Sequence, residues 1–178
     1  GGVTKGSSAQ EECLCRCSTL YFCLNTKEMW AGFYSPHRYA QDPIHNDDCI
    51  YTPEVIVFKS DTASPAPLPE SDWYSVNVIT CAAPNLRLLP ANGMNLGDGN
   101  KTVKMTRAQQ QALHEKRLLG AFGCGAFEND PEAVAAAFSN VIARYRKCFK
   151  TVELAIYCSL RDEQNYNIFK REIDTILC

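Results

Sequence analysis

Two adjacent carboxylates close behind a glycine pair are the residues of this chain best placed to do chemistry. Gly1 and Gly2 are followed by seven residues and then by Gln10-Glu11-Glu12. Glycine-rich turns present backbone N–H groups to phosphate, and cleavage of a glycosidic bond uses carboxyl groups as acid, base or nucleophile. A second glycine-rich loop, Gly120-Ala121-Phe122-Gly123-Cys124-Gly125-Ala126-Phe127, lies between an apolar run and a helix start. Two such loops and one acidic pair suggest a nucleotide diphosphate sugar as ligand. Taken singly, each feature has a plainer account. A glycine-rich loop is also an ordinary turn, and Glu11-Glu12 is also a solvated acidic start to a helix, favoured by the macrodipole.

The elements that must hold these residues follow from periodicity and punctuation. Cys13 to Tyr21 reads as a short helix behind the acidic pair, and residues 25–50 as an irregular excursion. Val55-Ile56-Val57-Phe58 and Tyr74 to Ala83 read as buried strands, separated by a loop holding Pro65, Pro67 and Pro69. Asn92 to Asn100, with three glycines, reads as a mobile loop, and Thr106 to Lys116 as a helix. Leu118 to Phe122 is expected to be a third strand running into the second glycine loop. Asp130-Pro131-Glu132 announces a helix, with Asp as N-cap, Pro in the first turn and Glu against the dipole. Thr151 to Cys158 is expected as a fourth strand, and a helix closes the chain from Asn165. Strands alternating with helices imply an α/β domain with a largely parallel sheet and helices on both faces. Ligand loops in such sheets lie beyond the carboxyl ends of the strands, where the second glycine loop falls.

Composition narrows the function classes. The chain has 178 residues, enough for one domain with a proper core. A net charge of −2 argues against a broad nucleic-acid footprint, so no direct DNA binding is expected. No apolar run approaches the length of a membrane span. The ten cysteines include no Cys-x-x-Cys pair, and His37, His45 and His114 have no ligand spacing. The expectation is no metal and no cofactor, reduced and mostly buried cysteines, surface histidines, and an intracellular, cytoplasmic setting.

Gly-Gly-x7-Gln-Glu-Glu at residues 1–12 resembles the signature of the bacterial-type poly(ADP-ribose) glycohydrolases. Further blocks similar to that family follow in its order. They are Ser18-Thr19-Leu20-Tyr21, Tyr51-Thr52-Pro53-Glu54-Val55, Val78-Ile79-Thr80-Cys81-Ala82-Ala83-Pro84-Asn85, and Leu119 through Phe127. The resemblance implies a three-layer α/β/α macrodomain-like fold with a mostly parallel mixed sheet, spanning residues 1–178 as one domain. The family has a third glycine and a leading strand, so the expectation is a domain whose leading segment is missing. The implied ligand is ADP-ribose or poly(ADP-ribose), carried on modified proteins or free. The implied activity is hydrolysis of the ribose–ribose bond, and the alternative is a module that binds ADP-ribose without turnover.

By motif position, the resemblance makes Glu12 the catalytic acid, with Glu11 and Gln10 positioning the ribose of the scissile bond. Gly1 and Gly2 belong to the first phosphate-side loop. Gly123, Cys124, Gly125 and Ala126 form the second, which cradles the diphosphate, and Phe127 packs beside the ligand's sugar or base. Glu12 is expected to donate its proton to the leaving 2′-oxygen and then to activate water against an oxocarbenium-like C1″. The Glu11 charge and partial desolvation would keep Glu12 protonated.

Overall fold

The computed structural model of the chain describes residues 9–62, 64–87, 106–115, 122–156 and 162–177. They fall into two compact units, one drawn from residues 1–40 and 48–82, the other from 41–47 and 83–178.

The first unit sets short helices on a two-stranded sheet. Helix α1 (Gln10–Cys17) stops at Ser18, whose backbone is extended. The Ser18 hydroxyl donates to the Leu14 carbonyl at 2.7 Å and accepts from the Leu20 N–H at 3.2 Å. One side chain therefore closes α1 and starts α2 (Leu20–Leu24), and the single helix expected over Cys13–Tyr21 is broken there. Residues 27–40, expected to be irregular, are helical: a single turn α3 (Lys27–Met29) capped by Thr26, a π-helical turn over Trp30–Tyr34, and α4 (Ser35–Ala40). The wider turn disrupts the 3.6-residue repeat, which hides the helical pattern from a periodicity search.

Strands β1 (Cys49–Val57) and β2 (Tyr74–Cys81) pair antiparallel. A largely parallel sheet was expected. These two strands are joined by a proline-rich loop and a 3₁₀ turn at Glu70–Asp72, without the crossover helix that parallel neighbours need. Their register runs from Cys49↔Cys81 to Thr52↔Val78 and resumes at Val55↔Val76. Pro53 and Glu54 form a bulge in the gap, where a proline in a strand is tolerated. Glu54 has φ +55°, and its N–H donates to Asn77 Oδ1 at 3.1 Å. Cys15, Leu20, Leu24 and Val55 make the core of this unit, with Ile50, Val76 and Val78 packed around them.

The described regular elements of the second unit are helices. Thr106 and Gln109 form a reciprocal capping box on α5 (Arg107–His114). Asp130 caps α6 (Pro131–Tyr145), as expected from its sequence signature. Helix α6 packs on α7 (Gln164–Leu177) through Val134, Ala135, Phe138, Ile168 and Phe169. The Ser139 hydroxyl adds a bond to the Glu172 carbonyl at 3.3 Å, and Arg171 pairs with Glu132. Residues 151–156, the described part of the expected fourth strand, carry no strand pairing, although Leu154 and Ile156 pack on this core. The loop expected at Asn92–Asn100 and most of the strand expected at Leu118–Phe122 lie outside the described residues.

Phe169 is 1% exposed and meets the Phe138 ring at 6.4 Å between centroids. Phe169→Ala is expected to cost about 3–5 kcal/mol in urea unfolding. A loss under 1 kcal/mol would show that the α6–α7 seam is not a core.

Candidate active site

Glu11 and Glu12 sit in the first turn of α1, where carboxylates favour the helix dipole. Neighbouring positions on a helix point about 100° apart, so the two side chains have different surroundings. Glu11 lies one turn before buried Cys15 and shares its inward face. Gln10 is exposed. The far end of α1 is sewn to β1: Thr19 N–H donates to the Ile56 carbonyl at 3.0 Å, Ile56 N–H donates to Thr19 Oγ1 at 3.0 Å, and Phe58 N–H donates to the Cys17 carbonyl at 3.0 Å. The Ser18-Thr19 pair is thus the clamp that holds the acidic helix on the sheet.

Tyr34, delivered by the π-helical turn, donates its hydroxyl to Glu11 Oε1 at 3.2 Å. Burial raises the Glu11 pKa above its ordinary value; the Tyr34 bond opposes the rise and the Glu12 charge adds to it. Tyr34 is itself pushed far up, by burial first and then by the Glu11 carboxylate, and stays a phenol. This pairing ties the acidic turn to a residue 23 positions away. Tyr34 lies in the stretch expected to be irregular, and nothing in its spacing points to Glu11.

In the second unit the glycine loop is a braced turn. Gly123 has φ +77°, a conformation that favours glycine. A Cβ there would press on the Asn129 carboxamide and come within 3.3 Å of the Pro84 carbonyl. Asn129 is 2% exposed, and its Nδ2 donates to the carbonyls of Pro84 at 2.7 Å and Gly123 at 3.0 Å. Both acceptors are carbonyls, which fixes the orientation of the amide. Asn129 Oδ1 therefore faces His114 Nε2, 3.0 Å away, and His114 must carry its proton on that nitrogen. Asn129 N–H also donates to the Gly123 carbonyl at 3.1 Å, Glu128 N–H to the Gly125 carbonyl at 3.0 Å, and Leu86 N–H to the Phe127 carbonyl at 2.9 Å.

Helix α5 supports the exit of the loop from one face. Arg107, Gln110 and His114 follow at i, i+3 and i+7. Arg107 Nε donates to Asp130 Oδ2 at 2.6 Å, Gln110 Oε1 accepts from Asp130 N–H at 2.9 Å, and His114 reaches Asn129. The expectation that the histidines are surface residues is corrected at His114, which is 4% exposed. Asn129 and His114 were not singled out from the sequence. The available signals were the Asn-Asp pair closing the glycine loop and the i, i+3, i+7 polar stripe preceding it.

Gly125 and Ala126 form the exposed tip of this loop, and a Cβ on Gly125 would meet nothing within 4 Å. Phe127 is half-buried. The Cys124 thiol is pushed up to about 12, chiefly by burial and then by the Asp130 charge, so it is a neutral wall rather than a nucleophile. Gly1 and Gly2 lie outside the described residues. Gln10, Glu11 and Glu12 are brought together on α1 in the first unit, and Gly123 to Phe127 in one turn of the second. The cysteines are more accessible than expected: of eight described, two are buried, three half-buried and three exposed. Among the described residues no cluster of three or more His, Cys, Asp or Glu side chains could hold a metal ion, and no helix is long and apolar enough to cross a membrane.

Residues 1–60 match the family model of the microbial-type PARG catalytic domain, PARG being poly(ADP-ribose) glycohydrolase. The structure resembles poly(ADP-ribose) glycohydrolase from Deinococcus radiodurans in complex with ADP-ribose, with a TM-score of 0.76 and 27% identity. That match covers 100% of this chain and 72% of the other. It also resembles the enzyme from Thermomonospora curvata, with a TM-score of 0.72 and 31% identity over 94% of this chain and 61% of that one. The same Thermomonospora enzyme bound to the inhibitor ADP-HPD matches with a TM-score of 0.71 and 31% identity, over 94% and 63% of the two chains. No curated protein matches the chain significantly.

Two measurements test this geometry. Asn129→Ala is expected to lower stability by about 2–4 kcal/mol, because the Pro84 carbonyl and the His114 N–H each lose a buried partner; a neutral effect in urea unfolding would dismiss the brace. Glu11→Gln concerns pH. A carboxyl whose folded pKa lies above its unfolded one binds more protons when folded, so its ionisation costs stability. The cost is absent below the ordinary carboxylate range and grows as pH rises through the raised folded value. Glu11→Gln should therefore be more stable than the parent at pH 7, with the difference closing in acid. A difference that widens in acid would reverse the assignment.

Proposed function

We propose that this chain, which belongs to the bacterial-type poly(ADP-ribose) glycohydrolase family, hydrolyses the ribose–ribose O-glycosidic bond of poly(ADP-ribose) and releases ADP-ribose. The observation that carries the proposal is the match of the entire chain to a poly(ADP-ribose) glycohydrolase solved with ADP-ribose. The finer architecture is one macrodomain-like domain, a three-layer α/β/α arrangement with a mostly parallel mixed sheet.

In this account Glu12 is the general acid. Its carboxyl donates a proton to the departing 2′-oxygen, positive charge develops at C1″, and the resulting carboxylate activates the water that completes hydrolysis. Glu11 plays a different part. Tyr34 orients one of its oxygens, leaving the carboxyl able to accept a ribose hydroxyl beside the scissile bond. Gln10 contributes an amide to the same ribose, and the glycines at 1 and 2 flank a phosphate. The turn Gly123–Ala126 receives the diphosphate on backbone N–H groups, in a shape that Asn129 holds, and Phe127 lies against the sugar or base. The substrate is free polymer or polymer on modified proteins.

The test is Glu12→Gln. Release of ADP-ribose from purified polymer should fall about 10²–10⁴-fold, with ADP-ribose affinity within a few-fold of the parent. Normal turnover by the variant would remove Glu12 from the mechanism. ADP-ribose binding by the parent chain without any hydrolysis would favour a binding module instead.

A further inference from the structure

Cys49 and Cys81 are separated by more than thirty residues in sequence but stand directly opposite each other at the open end of the β1–β2 ladder. Directly opposed residues of an antiparallel pair project from the same face with Cβ atoms about 4.5–5.5 Å apart. Cross-strand positions of this kind have Cα separations within the range a disulfide spans. The face is the accessible one. The next pair on it, Tyr51 and Ile79, is 59% and 53% exposed, whereas Thr52 and Thr80 on the opposite face are buried. Cys49 is exposed and Cys81 half-buried, and neither is in a disulfide.

From this juxtaposition we infer that Cys49 and Cys81 are a redox modification site, closed to a cross-strand disulfide by a peroxide. The Cys49 thiolate attacks one peroxide oxygen, the O–O bond breaks, and Cys49 becomes a sulfenic acid with release of water. The Cys81 sulfur then attacks the Cys49 sulfur, the S–S bond forms, and the S–O bond breaks to release a second water. In sum two thiols give up two electrons and two protons, and hydrogen peroxide is reduced to two waters.

Other described cysteines are poorly placed for the same step. Cys15 and Cys17 are buried, and burial keeps both thiols protonated. Cys23 and Cys148 are exposed but lie outside the paired strands. The bond would join the two ends of the segment 48–82 that forms the sheet of the first unit. Closing a long loop in this way restricts the unfolded chain. Neither cysteine is among the residues assigned above to catalysis or ligand binding.

The intact chain is treated with dilute hydrogen peroxide, alkylated, and digested with trypsin. Cleavage at Arg38, Lys59 and Arg87 places Cys49 on peptide 39–59 and Cys81 on peptide 60–87, each as the only cysteine of its peptide. The expected result is a 39–59/60–87 cross-link, lighter by two hydrogens than the separate peptides and cleaved by reductant. A rise in Tm of several degrees should accompany it, and both should vanish in Cys49→Ser, a change at an exposed position. The inference is overturned if both peptides remain alkylated, if Cys49 pairs with any other cysteine, or if the cross-link forms only in urea.

Discussion

The buried carboxamide of Asn129 is the contact on which the second unit's loop depends. It holds the carbonyls of Pro84 and Gly123 on one side and meets His114 on the other. Pro84, the glycine loop at Gly123 and the last residue of α5 are thereby tied to one side chain. Each partner restricts the next. Gly123 must be glycine because its φ is positive and because the carboxamide occupies the space of a Cβ. His114 must carry its proton on Nε2 because the amide nitrogen is already committed to carbonyls. Asp130, one residue on, caps α6 through Glu132 N–H while α5 grips it from outside. The tip at Gly125–Ala126 is exposed, and the Glu128 N–H holds the Gly125 carbonyl.

The acidic helix has a separate logic. Two carboxylates in sequence would be equivalent on an isolated helix, but the fold makes them unequal. Ser18 and Thr19 clamp the end of α1 to β1, which presses the Glu11–Cys15 face toward the core. Burial raises the Glu11 pKa, and the Tyr34 phenol holds one of its oxygens. An acid/base pair needs environments that separate its members. Here the separation comes from helical phase, one residue apart, with Tyr34 as the fixed reference.

Much of this was legible in the sequence, for reasons that can be named. Asp130-Pro131-Glu132 marked the start of α6, since cap, proline and acidic first turn all act within four residues. Val55–Phe58 and Tyr74–Ala83 read as strands because their β-branched content is local, although β1 begins earlier, at Cys49. Their pairing did not, because antiparallel order depends on what connects them. The π-helical turn at Trp30–Tyr34 shifted the repeat and concealed both the helices around it and the partner of Glu11. The glycine loop was plain, whereas its brace was not: Asn129 and His114 are distant from Pro84 in sequence and meet only in the folded unit. Histidines without ligand spacing are expected at the surface, but His114 is buried with its ring against the Asn129 carboxamide.

Hydrolysis of poly(ADP-ribose) by this chain requires that it bind ADP-ribose. Calorimetric titration of the purified 178-residue chain with ADP-ribose tests it most directly. The account predicts saturable binding near one ligand per chain, weakened about tenfold or more, which is about 1.4 kcal/mol or more, in a folded Gly123→Ala variant. A folded parent chain that gives only the heat of dilution would contradict it.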